Sequence, residues 1–258
     1  MNKDISDILR GWDYDPGSIS ARWIEGKDGR AKVQLRLDLG LFQMEIDGRP
    51  DGLMPHGYPS LAEYYLSLEK ASREKPPFQL DEDTCVALQQ EAMQYYYRYL
   101  AYYALHHLEG VINDTSHNLE LIRLVTAYAE DEDLSWQFQQ FYPYVLMMNA
   151  RANAEKATET KHFEEAVGIL QKALDDIKLF WMEHSDYDNG LATQEIELLT
   201  GLLNQVESKK PKSRSDALRE ELQRAISVEN YEKAASLRDA ISKLNTEPSI
   251  PPPPGEIV

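Results

Sequence analysis

Alternation of apolar and polar positions dominates the first part of the chain. Val33, Leu35, Leu37, Leu39 and Leu41 fall on one face, with Gln34, Arg36 and Asp38 on the other, the period of a half-buried strand. At Gly40 the phase slips by one residue, and Phe42, Met44 and Ile46 take over the apolar positions, which predicts a bulge or a tight turn there. Residues 19–26 form a further strand candidate. The segment Lys27-Asp28-Gly29-Arg30 supplies turn chemistry, because Asp-Gly accepts the positive φ that such turns need. Asp47-Gly48-Arg49-Pro50-Asp51-Gly52 ends the strands. Residues 1–58 therefore read as a β-rich region, a small N-terminal antiparallel β-meander.

From residue 60 the apolar spacing becomes helical. Ser60 is positioned to cap a helix running to about Arg73, with Glu63 completing a capping box, and Lys75-Pro76-Pro77 breaks it. Asp81 or Asp83 is positioned to cap a helix reaching about Leu108. Further helices are expected over 111–129, over 134–158 with an interruption near Pro143, over 162–184 and over 191–207. Residues 59–207 thus make an α-helical body. Within it two stretches share a logic. Ala101 and Ala104 precede Leu108-Glu109-Gly110, and Ala150, Ala152 and Ala154 precede Lys161-His162-Phe163. Small residues let facing helices approach closely, and an aromatic at the turn fills the gap. This resembles the tetratricopeptide-type helical hairpin, although the full repeat pattern is absent and the helices are longer. Such repeats present surfaces to partners.

Charge changes the picture at the C-terminal end. The chain has 258 residues, 44 acidic and 27 basic, for a net −17. Yet residues 209–247 carry nine basic and seven acidic side chains, so the remainder holds the whole acidic excess. A field of that sign repels phosphates, and direct nucleic-acid binding is not expected. Residues 208–215 form a basic linker, residues 216–244 a helical hairpin, and residues 245–258 a proline-rich tail expected to be disordered or polyproline-like.

The chemistry of catalysis is hard to find. There is a single cysteine, Cys85, expected as a small residue in a helix, and a cysteine-rich zinc site is excluded. His106 and His107 are adjacent and so point apart on a helix, away from the i, i+4 chelating geometry. Neither a Gly-x-Ser-x-Gly elbow nor a phosphate-binding glycine loop occurs. No metal or cofactor is expected. No run of about 18 apolar residues appears, so no membrane span is expected, and nothing at the N-terminus reads as a signal peptide. A cytoplasmic location is the expectation. Tyr95, Tyr96, Tyr97, Tyr99, Tyr102 and Tyr103 crowd nine residues and surround a helix; Tyr96, Arg98, Tyr99 and Tyr103 are candidates to line a ligand pocket. The loop from Asp47 to Gly52, with His56, is either a functional loop or a strand-to-helix connection, and the latter is expected.

In the hairpin, Leu218, Leu222, Ala225 and Ile226 form one apolar stripe, and Ala234, Leu237, Ile241 and Leu244 the other. Ser227-Val228-Glu229-Asn230 makes the turn. The run Glu229-Asn230-Tyr231-Glu232-Lys233-Ala234-Ala235-Ser236-Leu237-Arg238-Asp239-Ala240-Ile241 resembles the UVR motif of the excision-repair proteins UvrB and UvrC. The resemblance covers about 30 residues and implies protein–protein contact. That hairpin also occurs in Clp ATPase components and in activators of protein arginine kinase. It implies that Tyr231, where the family often has phenylalanine, is an exposed tip anchor, with Glu232, Arg238 and Asp239 as partner-binding or hairpin-stabilising residues. The rest of the chain resembles, more loosely, bacterial proteins that carry a UVR motif behind an unrelated body. The ATP site and the nuclease of the repair proteins are missing, as are the cysteine pairs of the kinase activators. Two functions follow as expectations. The first is a non-enzymatic adaptor that binds a protein partner through the hairpin, either another UVR-motif protein or a copy of itself. The second is a small-molecule-binding regulatory protein with a pocket between the β-meander and the Tyr-rich helix.

Overall fold

The computed structural model describes residues 4–72, 78–187, 192–211 and 214–246. The expected break at Lys75-Pro76-Pro77 and residues 247–258 of the expected tail lie outside them. The described residues are mainly α-helical, with one three-stranded antiparallel sheet. They divide into two compact units, residues 1–208 and 209–258.

After a short helix α1 (Ser6–Leu9), the sheet runs β1 (Ala21–Glu25), β2 (Ala31–Leu37), β3 (Gly40–Glu45) in the order β1-β2-β3. Gly29, at φ +75°, turns the chain between the first two strands. The phase slip at Gly40 is a tight turn. Leu37 pairs with Gly40, so the chain reverses across Asp38-Leu39 and a new strand begins. Two corrections follow for the alternating face. Leu41 pairs with Arg36 and so lies on the opposite face from Val33 and Leu35. Leu39 sits at the turn tip and is 90% exposed. The register places Val33 opposite Met44 and Leu35 opposite Phe42, so two strands of opposite phase present one apolar face.

That face packs on α3 (Glu82–Ala104). Asp81 caps α3 by accepting from Thr84 N at 2.9 Å, and Ser60 caps α2 (Leu61–Ala71) by accepting from Glu63 N at 3.1 Å. Then come α4 (Leu108–Tyr128), α5 (Glu132–Gln139), α6 (Tyr142–Glu159), α7 (Phe163–Glu183) and α8 (Ala192–Lys209). The single interrupted helix expected over 134–158 is two helices. Pro143 lies in the first turn of α6, where its missing N–H costs nothing, so it starts a helix rather than kinking one. Ser208 and Lys209, expected in the linker, close α8.

Two cores fill this unit. One joins the sheet to Tyr99 and Tyr102 of α3, the alanines of α6, and Leu170, Leu174 and Ile177 of α7. The other joins Leu61 and Leu66 of α2 to Leu88, Leu121, Leu124 and Phe138. Cys85 is buried in the second, and burial pushes its thiol up to about 11, so it is an inert core residue.

The two stretches that share a repeat-like logic share a turn. In α3–α4, His106 adopts φ +55°, His106 N donates to Tyr103 O and His107 N to Tyr102 O. In α6–α7, Lys161 at φ +64° and His162 make the equivalent bonds to Thr158 O and Ala157 O. Both are Schellman closures, with the next helix starting at once from the following residue. Their packing differs. Ala150, Ala152 and Ala154 are all buried, whereas Ala104 is exposed and Gly110 supplies the close approach. A Cβ added at Gly110 would stand 2.4 Å from Tyr102 Cδ2.

Candidate functional site

The second unit is a helical hairpin of α9 (Arg214–Ser227) and α10 (Tyr231–Thr246). Its turn is the same Schellman closure a third time. Glu229 takes φ +57°, Glu229 N donates to Ile226 O at 3.0 Å, and Asn230 N donates to Ala225 O at 2.8 Å. Asn230 then caps α10, its side chain accepting from Lys233 N at 3.1 Å. Ala225, Ala234 and Leu237 are buried between the helices, flanked by Leu218 and Leu222. The facing alanines bring the backbones close beside the turn.

One expectation about the apolar stripes changes. Ile226 lies one residue, 100° of helix rotation, beyond Ala225, and it faces outward at 47% exposure. Ala235 is exposed for the same reason relative to Ala234. Leu244 belongs to a stretch whose side chains lie outside the described residues. The consequence is an apolar tip: Ile226 at 47%, Val228 at 72% and Tyr231 at 68% exposure surround a turn of three residues. Glu232 sits exposed in the first turn of α10, where the helix dipole favours an anion. Arg238 and Asp239 pair with each other on α10, the carboxylate accepting from Nε at 3.0 Å and from Nη2 at 2.9 Å. Both are exposed, and the pair does not bridge the helices. Lys233 and Glu221, 3.9 Å apart, do cross between them.

In the larger unit, the four pocket candidates on α3 fall in three places. Arg98 is a buried strap. It donates twice to Asp114 of α4, at 2.8 and 2.7 Å, once to the end of β3 at Glu45 O, 2.9 Å, and once to the following turn at Gly48 O, 2.8 Å. It also lines a polar cavity of about 620 Å³ together with Trp23, Asp47, His107 and His117. Tyr96 and Tyr99 open on the opposite flank of α3, onto an apolar cavity of about 560 Å³ walled by α4, α5 and α6. Tyr103 stands apart from both, its ring 4.5 Å under the guanidinium of Arg151. A smaller hollow of about 250 Å³ does lie between the sheet and the Tyr-rich helix, lined by Phe42, Met44, Met93 and Tyr97.

A group that sequence reasoning missed is Glu91. It is fully buried on α3 and caps the neighbouring helix α2, accepting from Leu61 N at 2.7 Å and Ala62 N at 2.9 Å. Arg49 approaches at 3.3 Å, as does His117, whose ring stacks on Tyr95. Burial works against the charge, but His117 and the two backbone donors outweigh it and hold the carboxyl below its ordinary value. Arg49 also pairs with Asp51, and Arg98 grips Gly48, so the loop from Asp47 to Gly52 is clamped to α3 as a strand-to-helix connection. A buried glutamate amid tyrosines carries no periodic signal of its own, since its partners come from three separate segments.

Among the described residues there is no group of three or more His, Cys, Asp or Glu arranged to hold a metal, and no helix long and apolar enough to cross a membrane. No curated protein matches the chain, and no solved structure does. Residues 212–247 match the family model described as the UvrB/uvrC motif, so the C-terminal hairpin is a UVR motif.

Proposed function

We propose that this protein is a non-enzymatic adaptor that docks a protein partner through the tip of its UVR hairpin. The observation that carries this reading is the exposed apolar triad Ile226, Val228 and Tyr231 on a rigidly capped turn. Two short helices with so small a core gain by burying this tip against another surface. A capped turn also lowers the ordering cost of binding. The partner is another UVR-type hairpin or a second copy of this chain. Arg238, Asp239 and Glu232 form the polar surround on α10, and rim charges steer encounter more than they add affinity. DNA contact is the less favoured reading, because the chain as a whole is strongly acidic.

The test compares the full chain, Tyr231→Ala and a chain ending at Ser208 for co-purified partners and for self-association by ultracentrifugation. Truncating a central aromatic anchor costs about 2 kcal/mol or more of binding, roughly a 30-fold loss. At 68% exposure Tyr231 contributes little to folding, so stability changes by under about 0.5 kcal/mol. Partners retained by the chain ending at Ser208 would refute the reading.

A further inference from the structure

Two residues that line the apolar cavity flanking the Tyr-rich helix each carry a buried polar atom with nothing to bond. Tyr99 is 0% exposed and Asn118 4%, both line the cavity, and Tyr99 Oη and Asn118 Oδ1 have no hydrogen-bond partner in the described structure. The Asn118 amide is not free to turn the other way round. Its Nδ2 donates to Ala92 O at 3.0 Å, which fixes Oδ1 as the acceptor left over. Leaving such groups unmade in an apolar surrounding is costly, and native interiors seldom do so.

Most of the remaining lining is aromatic or aliphatic, including Tyr96, Phe138, Tyr144 and Ile122; Gln89 and Gln137 add two amides, and no charged side chain belongs to it. The surroundings therefore disfavour an ion, which would be desolvated without a counter-charge. Met93 and Phe141, also lining residues, are exposed, so the cavity opens to solvent. Its volume of about 560 Å³ falls within the range of small-molecule pockets.

We propose that this cavity binds an uncharged, largely apolar small molecule bearing one hydroxyl or N–H group, which donates to Asn118 Oδ1 and bonds Tyr99 Oη. The assignment is independent of the hairpin reading and lies wholly within the larger unit. Burial pushes the Tyr99 phenol well above its ordinary pKa, so it stays neutral and able both to donate and to accept. The aromatic walls provide the apolar surface, and the two polar atoms provide orientation.

The experiment is isothermal titration of the full chain with 4-methylphenol, indole and 1-hexanol, beside toluene, 4-methylbenzoate and benzyltrimethylammonium. Saturable one-to-one binding is expected for at least one of the three hydrogen-bond donors. Toluene should bind at least 10-fold more weakly than 4-methylphenol, and the two ions should not bind. Tyr99→Phe removes only the unpartnered oxygen, so its Tm should equal or exceed that of the parent chain. The same variant should narrow the preference for 4-methylphenol over toluene by 5-fold or more. Ala92→Phe, which fills the cavity from α3, should abolish binding. The proposal is overturned if no donor probe binds saturably, if toluene or an ion binds as tightly as the donors, or if Tyr99→Phe lowers the Tm. That last result would show that the hydroxyl already has a partner.

Discussion

Replacing Arg98 by methionine tests how the larger unit is tied together. Arg98 and Asp114 are each 3% exposed, and their two-pronged pair joins α3 to α4. The remaining guanidinium nitrogen holds the carbonyls of Glu45, which ends β3, and Gly48 beyond it, and the cation lies 4.9 Å over the Tyr95 ring. Removing one member of a buried ion pair costs about 3–5 kcal/mol, because the other charge is stranded. The orphaned carbonyls of Glu45 and Gly48 add to this, so a loss of about 4 kcal/mol or more is expected. For a unit of 208 residues each kcal/mol moves the melting point by about 2–4 °C, which predicts a fall of roughly 8–16 °C. Burial already pushes the Asp114 carboxyl above its ordinary value, with Arg98 pulling the other way. Without Arg98 the carboxyl rises further. A folded pKa above the unfolded one means that the folded state holds its proton longer, so stability is greater below that pKa and is lost as pH rises through it. The damage in Arg98→Met should therefore be largest at neutral pH and shrink as pH falls toward the ordinary aspartate range. Urea melts followed by tryptophan fluorescence at several pH values measure this directly. Arg98→Met/Asp114→Leu should recover most of the loss, since an apolar pair replaces the ionic one. A single variant within about 1 kcal/mol of the parent chain, or a double variant as unstable as the single, would refute the strap.

Gly110→Ala should cost about 1–3 kcal/mol in thermal melts, because its Cβ would overlap Tyr102 and the His107 imidazole at the α3–α4 turn. Glu91→Gln should flatten the acid limb of the stability profile. The depressed folded pKa of Glu91 contributes stability above the unfolded carboxylate value that is lost as pH falls through the folded one, and urea melts across the acid range report it. Glu229→Gly should stabilise the hairpin by up to about 1 kcal/mol by relieving a left-handed residue, seen as slower amide exchange in α9 and α10; faster exchange would contradict the turn assignment.

Several features were legible in the sequence because they depend on neighbours along the chain. Ser60 with Glu63, and Asp81, announce helix starts through side chains that reach their own backbone. The alternation through Val33 and Leu35 fixes a strand with one apolar face, although Lys32 and Gln34 on its other face are buried as well, and the run around Tyr231 to Ile241 fixes a hairpin. Other features turned on helix phase and on packing between distant segments. Gly40 resolved as a tight turn because Leu37 pairs with it, and Pro143 opens a helix rather than bending one. Ile226 and Ala235 turned outward because they lie 100° from the residues that meet across the hairpin. The Tyr-rich run predicted aromatic packing around α3, but it could not say which flank each ring would take. Arg98 went to one side and Tyr99 to the other, because Asp114 draws the cation while α5 and α6 wall the phenol. Glu91 shows the same division. Nothing local marks it, and it becomes a helix cap only when α3 brings it against the start of α2, some 30 residues away in the chain. Sequence alone determined most of the helices and strands and the C-terminal hairpin, since those rest on local periodicity and capping. Tertiary structure decided which polar groups are satisfied and which are left waiting in a cavity, since satisfaction depends on what distant segments bring within hydrogen-bond reach.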